Sequence, residues 1–345
     1  MGLQAQFIQF NNKIYLKKTD SRLEEVRGKR DRINSVVKAR FKENGWGDVS
    51  IFLQGSYATD LSIVPLDGDY DIDVAVVIPY DTAPDSPITL KKEMLSILQD
   101  RGLSDATIKR PCVTAQYLSD GKPKFHIDYP IYRCTGNHYE LAWGKPTSAE
   151  KDKKWSSGDP RGLVDWTDYS TLDVDEKRQY KRMVRFLKRW RDLRYVSTEV
   201  KPYSVGLTIL IRQNFVDSFS DDGEADDLSA LISTIDRIMG CSAFVSLGDN
   251  KYDLVVSLPT SPYVDVFKDH GNGMGTKLYN RLGQLKNRLL AAQSKSTVVA
   301  ASKILSEGNV FGSDFPVPDG GHDGNSSSNR SATKTAGAVG SPQGA

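Results

Sequence analysis

Two neighbouring stretches hold the residue types that handle phosphate and divalent metal: Gln54-Gly55-Ser56-Tyr57-Ala58-Thr59-Asp60-Leu61, and Asp71-Ile72-Asp73 beyond it. Val49–Leu53 reads as a strand that delivers Gly55-Ser56 into a turn opening onto a helix. Glycine lets a phosphate approach the backbone closely, and the serine hydroxyl with helix-start N–H groups can hold it. Residues 71–78 read as a second strand, closed by Pro79. Alternation puts Ile72, Val74 and Val76 on one face and Asp71 and Asp73 together on the other. Two carboxylates on one strand face suit hard divalent cations. Asp69 shares that face, so Asp69/Asp71 is a rival pair. Asp71/Asp73 is preferred because it runs directly into the apolar strand, whereas Asp69 follows Gly68 in a turn.

A third carboxylate is needed for a two-metal site, and 124–132 (KFHIDYPIY) supplies one. Phe125, Ile127 and Tyr129 share one strand face; His126 and Asp128 share the other. If this strand lies beside the first, Asp71, Asp73 and Asp128 converge. Two metals roughly 3.5–4 Å apart could then stabilise both the attacking and the leaving oxygen of an in-line displacement. A lone Asp-x-Asp is usually a turn or a solvated edge, and Gly-Ser alone is weaker still. The ordered set is far more specific, and it points to nucleotidyl transfer.

The elements that must position these residues can be read in outline. Residues 22–43 predict a long helix from Leu23, Val26, Ile33, Val36, Val37 and Phe41, ended by Asn44-Gly45. Residues 88–100 predict a helix, and 113–118 and 124–132 predict strands. The polar stretch 144–171 reads as a long segment crossing between two lobes. Residues 174–194 predict an amphipathic helix, with Met183, Phe186, Leu187, Trp190 and Leu193 in one stripe. Nine of the nineteen residues from Glu176 to Arg194 are basic, so Lys188 and Arg189 fall among the apolar positions. Residues 203–219, 225–239 and 274–294 predict further helices. The glycine- and serine-rich end, 319–345, cannot bury enough apolar surface to order itself.

Composition excludes several classes. The chain has 345 residues, with 46 Lys+Arg against 44 Asp+Glu and a formal net charge of +2. Length suggests two domains or one two-lobed domain. The charge excludes a protein that is basic all over, but not a local basic groove. Cys112, Cys134 and Cys241 are far apart and give neither a disulfide framework nor a CxxC zinc site. The start, MGLQAQFIQFNNK, lacks the pattern of a signal peptide. Gly2 invites myristoylation, but Gln6 stands where Ser or Thr is wanted. The apolar run Val74–Ile78 is too short to span a bilayer. The expectation is a cytoplasmic protein with no membrane partner. Gly271–Gly275 lacks the Lys-Ser/Thr of a P-loop, and Ser56 does not sit in a GxSxG elbow. His126 beside Asp128 reads as a strand-edge histidine that hydrogen-bonds locally rather than as a base.

The set resembles the polymerase β-type nucleotidyltransferase superfamily and, more narrowly, the bacterial CD-NTase family. The matching pieces are QGSYATDL (54–61), LDGDYDIDVAVVI (66–78), FHIDYPIY (125–132), MVRFLKRWR (183–191), PYSVGLTIL (202–210) and VFGSDFP (310–316). The resemblance implies an α+β, bilobed fold: a mixed-sheet core lobe with an N-terminal spine helix over 1–170, a helical lobe over 171–318, and a disordered tail over 319–345. It implies Gln54, Gly55 and Ser56 at the donor triphosphate, Asp71 and Asp73 on both of two Mg²⁺ ions (Mn²⁺ a substitute), and Asp128 on the ion that activates the attacking ribose hydroxyl. Lys188 and Ser204 are implied as holders of the outer phosphates. Arg185 is a further phosphate candidate. Tyr203 is a candidate for stacking on a base, although such a tyrosine is more often a core edge.

The activity so implied is synthesis of a cyclic di- or trinucleotide from ATP, with or without a second nucleotide, in antiphage signalling. The product would reach an effector by diffusion. A HORMA-type partner, or conjugation at the tail, would switch such an enzyme on. No zinc-binding thumb is visible, so direct sensing of double-stranded DNA is not expected. The rivals are a template-free RNA or tRNA nucleotidyltransferase or linear oligoadenylate synthase, and a catalytically silent nucleotide- or RNA-binding module.

Overall fold

A computed structural model describes residues 2–195, 199–271 and 273–319. The tail beyond Asp319, including the proposed conjugation end, lies outside the described residues. The first half comprises α1 (Gln4–Ile14), α2 (Glu24–Glu43), β1 (Ser50–Gln54), α3 (Gly55–Ala58), β2 (Tyr70–Pro79), α4 (Pro87–Asp100), β3 (Thr107–Ile108), β4 (Val113–Ser119), β5 (Lys122–Tyr129), β6 (Ile131–Thr135), β7 (His138–Trp143), β8 (Lys154–Gly158) and α5 (Pro160–Asp168). The second half comprises α6 (Val174–Arg194), α7 (Ser204–Asn214), α8 (Asp227–Met239), the hairpin β9 (Phe244–Gly248) and β10 (Lys251–Leu254), α9 (Met274–Gln293) and α10 (Val298–Leu305).

Eight strands form one mixed sheet in the order β3-β4-β5-β2-β6-β7-β8, with β1 also paired to β2. β2 is antiparallel to β1 and parallel to β5 and β6. Its run Val74–Ile78 is buried along its whole length, as a strand covered on both faces must be. The expected strand 124–132 is two strands, because Pro130 has no N–H for a ladder. Its carbonyl instead accepts from the Val76 N–H at 2.9 Å, which carries the pairing along β2 from β5 to β6. The stretch 144–171 is not simply a crossing segment. It supplies the edge strand β8, paired with β7, and the helix α5. Polar residues suit an edge that faces solvent, so its sequence did not advertise a strand.

The apolar residues gather into two main cores. One lies under the sheet, where α2 and α4 bury Val26, Ile33, Val37, Phe41, Met94 and Ile97 against β2 and β5. The other is helical, built from α6 to α10. α1 joins this second core through Phe7, Phe10 and Ile14, although it lies within the range expected to form the first lobe. α6 starts at a capping box: Asp173 accepts from the N–H groups of Asp175 and Glu176, and Glu176 accepts from the Asp173 N–H. Towards its C-terminal end it reaches the connection between α3 and β2, where Lys188 donates to the Leu61 carbonyl at 3.0 Å and Arg189 to that of Val64 at 2.7 Å. No described helix is long and apolar enough to cross a membrane.

Candidate active site

The strands bring the acidic residues together. β5 lies beside β2 with Asp71 opposite His126 and Asp73 opposite Asp128. Because both strands alternate in phase, all four side chains share the face away from the buried Ile72, Phe125 and Ile127. Asp71 is the exposed member, and Asp128 is largely covered. The Thr114 hydroxyl of β4 donates to Asp128 Oδ1, and Lys109 Nζ stands 3.4 Å from the same oxygen.

Asp73 packs against Gly55. A Cβ on Gly55 would lie 2.1 Å from Asp73 Oδ2, and Gly55 has φ +66°, so both space and backbone demand glycine. Gln54 is opposite Asp73 across β1, and its Oε1 accepts from the Tyr132 hydroxyl at 3.2 Å.

The accumulated negative charge appears in the titration of the cluster. Burial first, then the charges of Asp71 and Asp128, push the Asp73 carboxyl well above the usual carboxylate range. Burial pulls the His126 imidazole down, but hydrogen bonds to and charges on Asp71 and Asp69 outweigh it and raise its pKa to about 9. A face that forces protons onto a carboxyl and an imidazole is short of positive charge. Divalent cations supply that charge, and the oxygen-rich donor set fits them. One donor atom each of Asp71, His126 and Asp128 lies within 4.8 Å of the other two.

A cleft opens beside this face. Ser56, Ser62, Asp69 and Asp71 line it from the sheet side, and Lys188, Arg191 and Ser204 from the helical side. Ser56 Oγ is 3.0 Å from Ser62 Oγ. Ser204 opens the eleven-residue helix α7. Lys188 is buried, and burial, aided by the charge of Arg191, pushes its pKa down to about 7. A desolvated lysine and an arginine one turn later face two serines and two carboxylates across one opening.

Of the expected nucleotide-binding residues, Gln54, Gly55, Arg185 and Tyr203 do not line the cleft. Arg185 is spent on structure: its Nε donates to Asn11 Oδ1 at 2.8 Å, its Nη1 to the Asp60 carbonyl at 2.7 Å, and its guanidinium lies over the Tyr15 ring. Tyr203 is half exposed, edge-on to His270 with ring centres 4.2 Å apart. Arg191, Thr114 and the Asp69–His126 contact escaped the sequence reading. Arg191 carried a signal, the i+3 spacing from Lys188 on a basic helix. Thr114 carried none until the pairing of β4 with β5 placed it opposite Asp128.

Residues 49–132 match the family described as "Cyclic GMP-AMP synthase DncV-like, nucleotidyltransferase domain". A curated relative, the cyclic GMP-AMP synthase of Escherichia albertii, is 27% identical over 202 residues, which cover 56% of this chain and 43% of that one. The match therefore spans less than half of the relative's length. The fold is shared with Vibrio cholerae DncV cyclic AMP-GMP synthase at TM-score 0.67 and 18% identity, covering 91% of this chain and 97% of that one. It is shared with the Bradyrhizobium diazoefficiens CD-NTase CdnG, solved with GTP, at TM-score 0.64 and 18% identity over 90% and 95% of the two chains. It is shared with E. coli MS115-1 CdnC, solved with ATP, at TM-score 0.62 and 16% identity over 90% and 98%. Residues 49–132 thus match a DncV-like nucleotidyltransferase domain, and the α+β fold is the one seen in the CD-NTase structures.

Proposed function

We propose that the protein links nucleoside triphosphates, ATP chief among them, into a cyclic oligonucleotide and releases pyrophosphate at each step. The observation that carries this reading is the convergence of Asp71, Asp73 and Asp128 on one sheet face beside a cleft walled by Ser56, Lys188, Arg191 and Ser204. The three aspartates would hold two divalent cations, Mg²⁺ being the first expectation. Bound there, such cations neutralise phosphate charge and make a ribose hydroxyl more acidic.

The chain's own groups do the rest. Ser56 hydrogen-bonds a phosphate oxygen of the donor while Gly55 keeps the backbone close. Lys188, Arg191 and Ser204 hold the outer phosphates in line, so that the bond broken is the one to pyrophosphate. Thr114 fixes the rotamer of Asp128. In this reading a sheet lobe up to about residue 170, α1 excepted, carries the chemistry, and a helical lobe over 171–318 closes on the nucleotides. The product would act as a diffusible second messenger in antiphage defence, with ATP, alone or with a second NTP, as substrate and a HORMA-type protein or tail conjugation as the switch. The cyclic GMP-AMP synthase of Escherichia albertii and the cyclic AMP-GMP synthase of Vibrio cholerae support the cyclisation in this reading.

The test is incubation of the full chain with labelled ATP, GTP, CTP and UTP and Mg²⁺ or Mn²⁺, followed by phosphatase and mass spectrometry. A phosphatase-resistant cyclic product is expected. Asp71→Asn with Asp73→Asn should lower its rate by roughly 1,000-fold or more, because the cation charge is lost from the transition state. Linear products alone would remove the cyclisation claim, and an unaltered double variant would remove the catalytic one.

A further inference from the structure

The face that carries the aspartates also carries an imidazole, and its two nitrogens are placed differently. His126 Nδ1 is 3.1 Å from Asp69 Oδ1. Nε2 points inward, 3.2 Å from Asp71 Oδ1, and forms with Asp71 and Asp128 the donor cluster described above. When the outer nitrogen of a histidine donates to a carboxylate, its tautomer is fixed and the lone pair of the inner nitrogen is aimed. Metal-binding histidines are held in this way. The backing carboxylate comes from the turn before β2 and the ring from β5, so the strand pairing itself sets the aim. The rival acidic pair Asp69/Asp71 is thereby resolved into two roles: Asp71 faces the cluster, and Asp69 stands behind the ring.

We propose that His126 is a ligand, through Nε2, of a divalent cation shared with Asp71 and Asp128, and that Asp69 orients it. The proposal rests on the carboxylate site argued above and adds a nitrogen donor to it. Mg²⁺ is hard, keeps oxygen ligands and gives up water reluctantly. First-row transition cations accept imidazole readily. The mixed donor set therefore selects a transition cation over Mg²⁺ at this position. A strand-edge histidine that bonds locally would need only one carboxylate. This one sits between two, Asp69 at Nδ1 and Asp71 at Nε2, and a cation shared with Asp71 and Asp128 would take the place of the Nε2 proton.

Mn²⁺ is the probe, added to the full chain without nucleotide and followed by electron paramagnetic resonance. The expected results are bound Mn²⁺, electron spin-echo modulation from a coordinated imidazole ¹⁴N, and displacement only by more than about tenfold excess of Mg²⁺. His126→Gln should lose the nitrogen modulation and the preference for Mn²⁺, while His138, His270 and His322 remain as internal controls. Asp69→Asn should keep the modulation and weaken Mn²⁺ binding by ~10–100-fold. This second variant leaves β5 untouched, so the proposal stays testable if His126→Gln folds poorly. No bound Mn²⁺ at millimolar concentration, no imidazole modulation in the wild type, or its persistence in His126→Gln overturns the proposal. The labelled-NTP assay on the same samples separates the two readings. Nitrogen-coordinated Mn²⁺ without nucleotidyl transfer would sustain the ligand and sink the enzyme, and transfer without the nitrogen signal would do the reverse.

Discussion

At the scale of single residues, the cleft works by withholding solvent from charge. Among the described residues no carboxylate is hydrogen-bonded to Lys188; its Nζ is satisfied by the Leu61 carbonyl, and burial holds its pKa near 7. At pH 8 the amine is therefore mostly neutral in the free protein. A triphosphate placed against it favours the ammonium form, so binding must draw in a proton. Calorimetry of a non-hydrolysable ATP analogue at pH 8, in buffers of different ionisation enthalpy, should show proton uptake, and Lys188→Met should abolish it. Equal heats in all buffers would count against Lys188 as a phosphate contact. The stability effect of the free protein has a fixed sign. The folded pKa lies below the ordinary 10.5, so the unfolded chain binds more protons between about 7 and 10.5. This residue's contribution makes stability rise with pH across that window and fall as pH drops back through it. Gly55 gives a second prediction at this scale. Gly55→Ala incurs ~1–2 kcal/mol of left-handed backbone strain, and its methyl meets the Asp73 carboxylate. The rate should fall by roughly 100-fold or more because a misplaced catalytic group is costly, while circular dichroism stays native. A near-normal rate would mean that Asp73 turns away from Gly55 when it works.

At the scale of elements, the basic helix α6 is positioned by ties that sequence spacing hides. Arg182 donates to Asp227 through Nε at 2.6 Å and Nη2 at 2.8 Å, and Gln179 donates to the same carboxylate at 3.1 Å. Asp227 has no exposed surface and begins α8. Removing one partner strands a buried charge, at a cost of about 3–5 kcal/mol. Arg182→Met should therefore lower the thermal midpoint by several degrees, whereas Arg178→Met, whose Asp175 pair is exposed, should shift it little. Equal shifts would remove the distinction. These ties also mark what the chain reveals on its own. Alternation along β2 and β5 was legible, since Asp71/Asp73 and His126/Asp128 follow from a period of two. The apolar stripe of α6 was legible too. The Arg182–Asp227 bond was not, because its partners are far apart and only the packing of α6 on α8 joins them. The edge strand β8 was hidden by its polarity, and Pro130 split a strand whose pattern looked continuous.

At the scale of the molecule, the start and the end of the described chain lock together over the helical core. Phe10 lies 5.1 Å from Phe186 of α6, 4.8 Å from Phe311 and 5.4 Å from Phe315, and Phe7 meets the same three rings. The polar flank repeats the arrangement: Asp314 pairs with Lys13 of α1 and Arg189 of α6, and Lys13 donates to the Ser313 carbonyl. The segment VFGSDFP thus has a physical purpose. Its two phenylalanines anchor it and its aspartate straddles two helices, one of which also presents Lys188 to the cleft. α1 itself is readable from Phe7, Phe10 and Ile14 at i, i+3 and i+7. Phe10→Ala leaves a void among three rings and should cost ~3–5 kcal/mol. The loss falls on the helical core, so hydrogen exchange should quicken in α1, α6 and 310–316 and stay slow in β2 and β5. Because Lys188 rides on α6, nucleotide affinity should fall as well, whereas Mn²⁺ binding on the sheet face should not. Uniform loss of protection through both cores would mean that they unfold as one unit, and metal and nucleotide binding would then fail together.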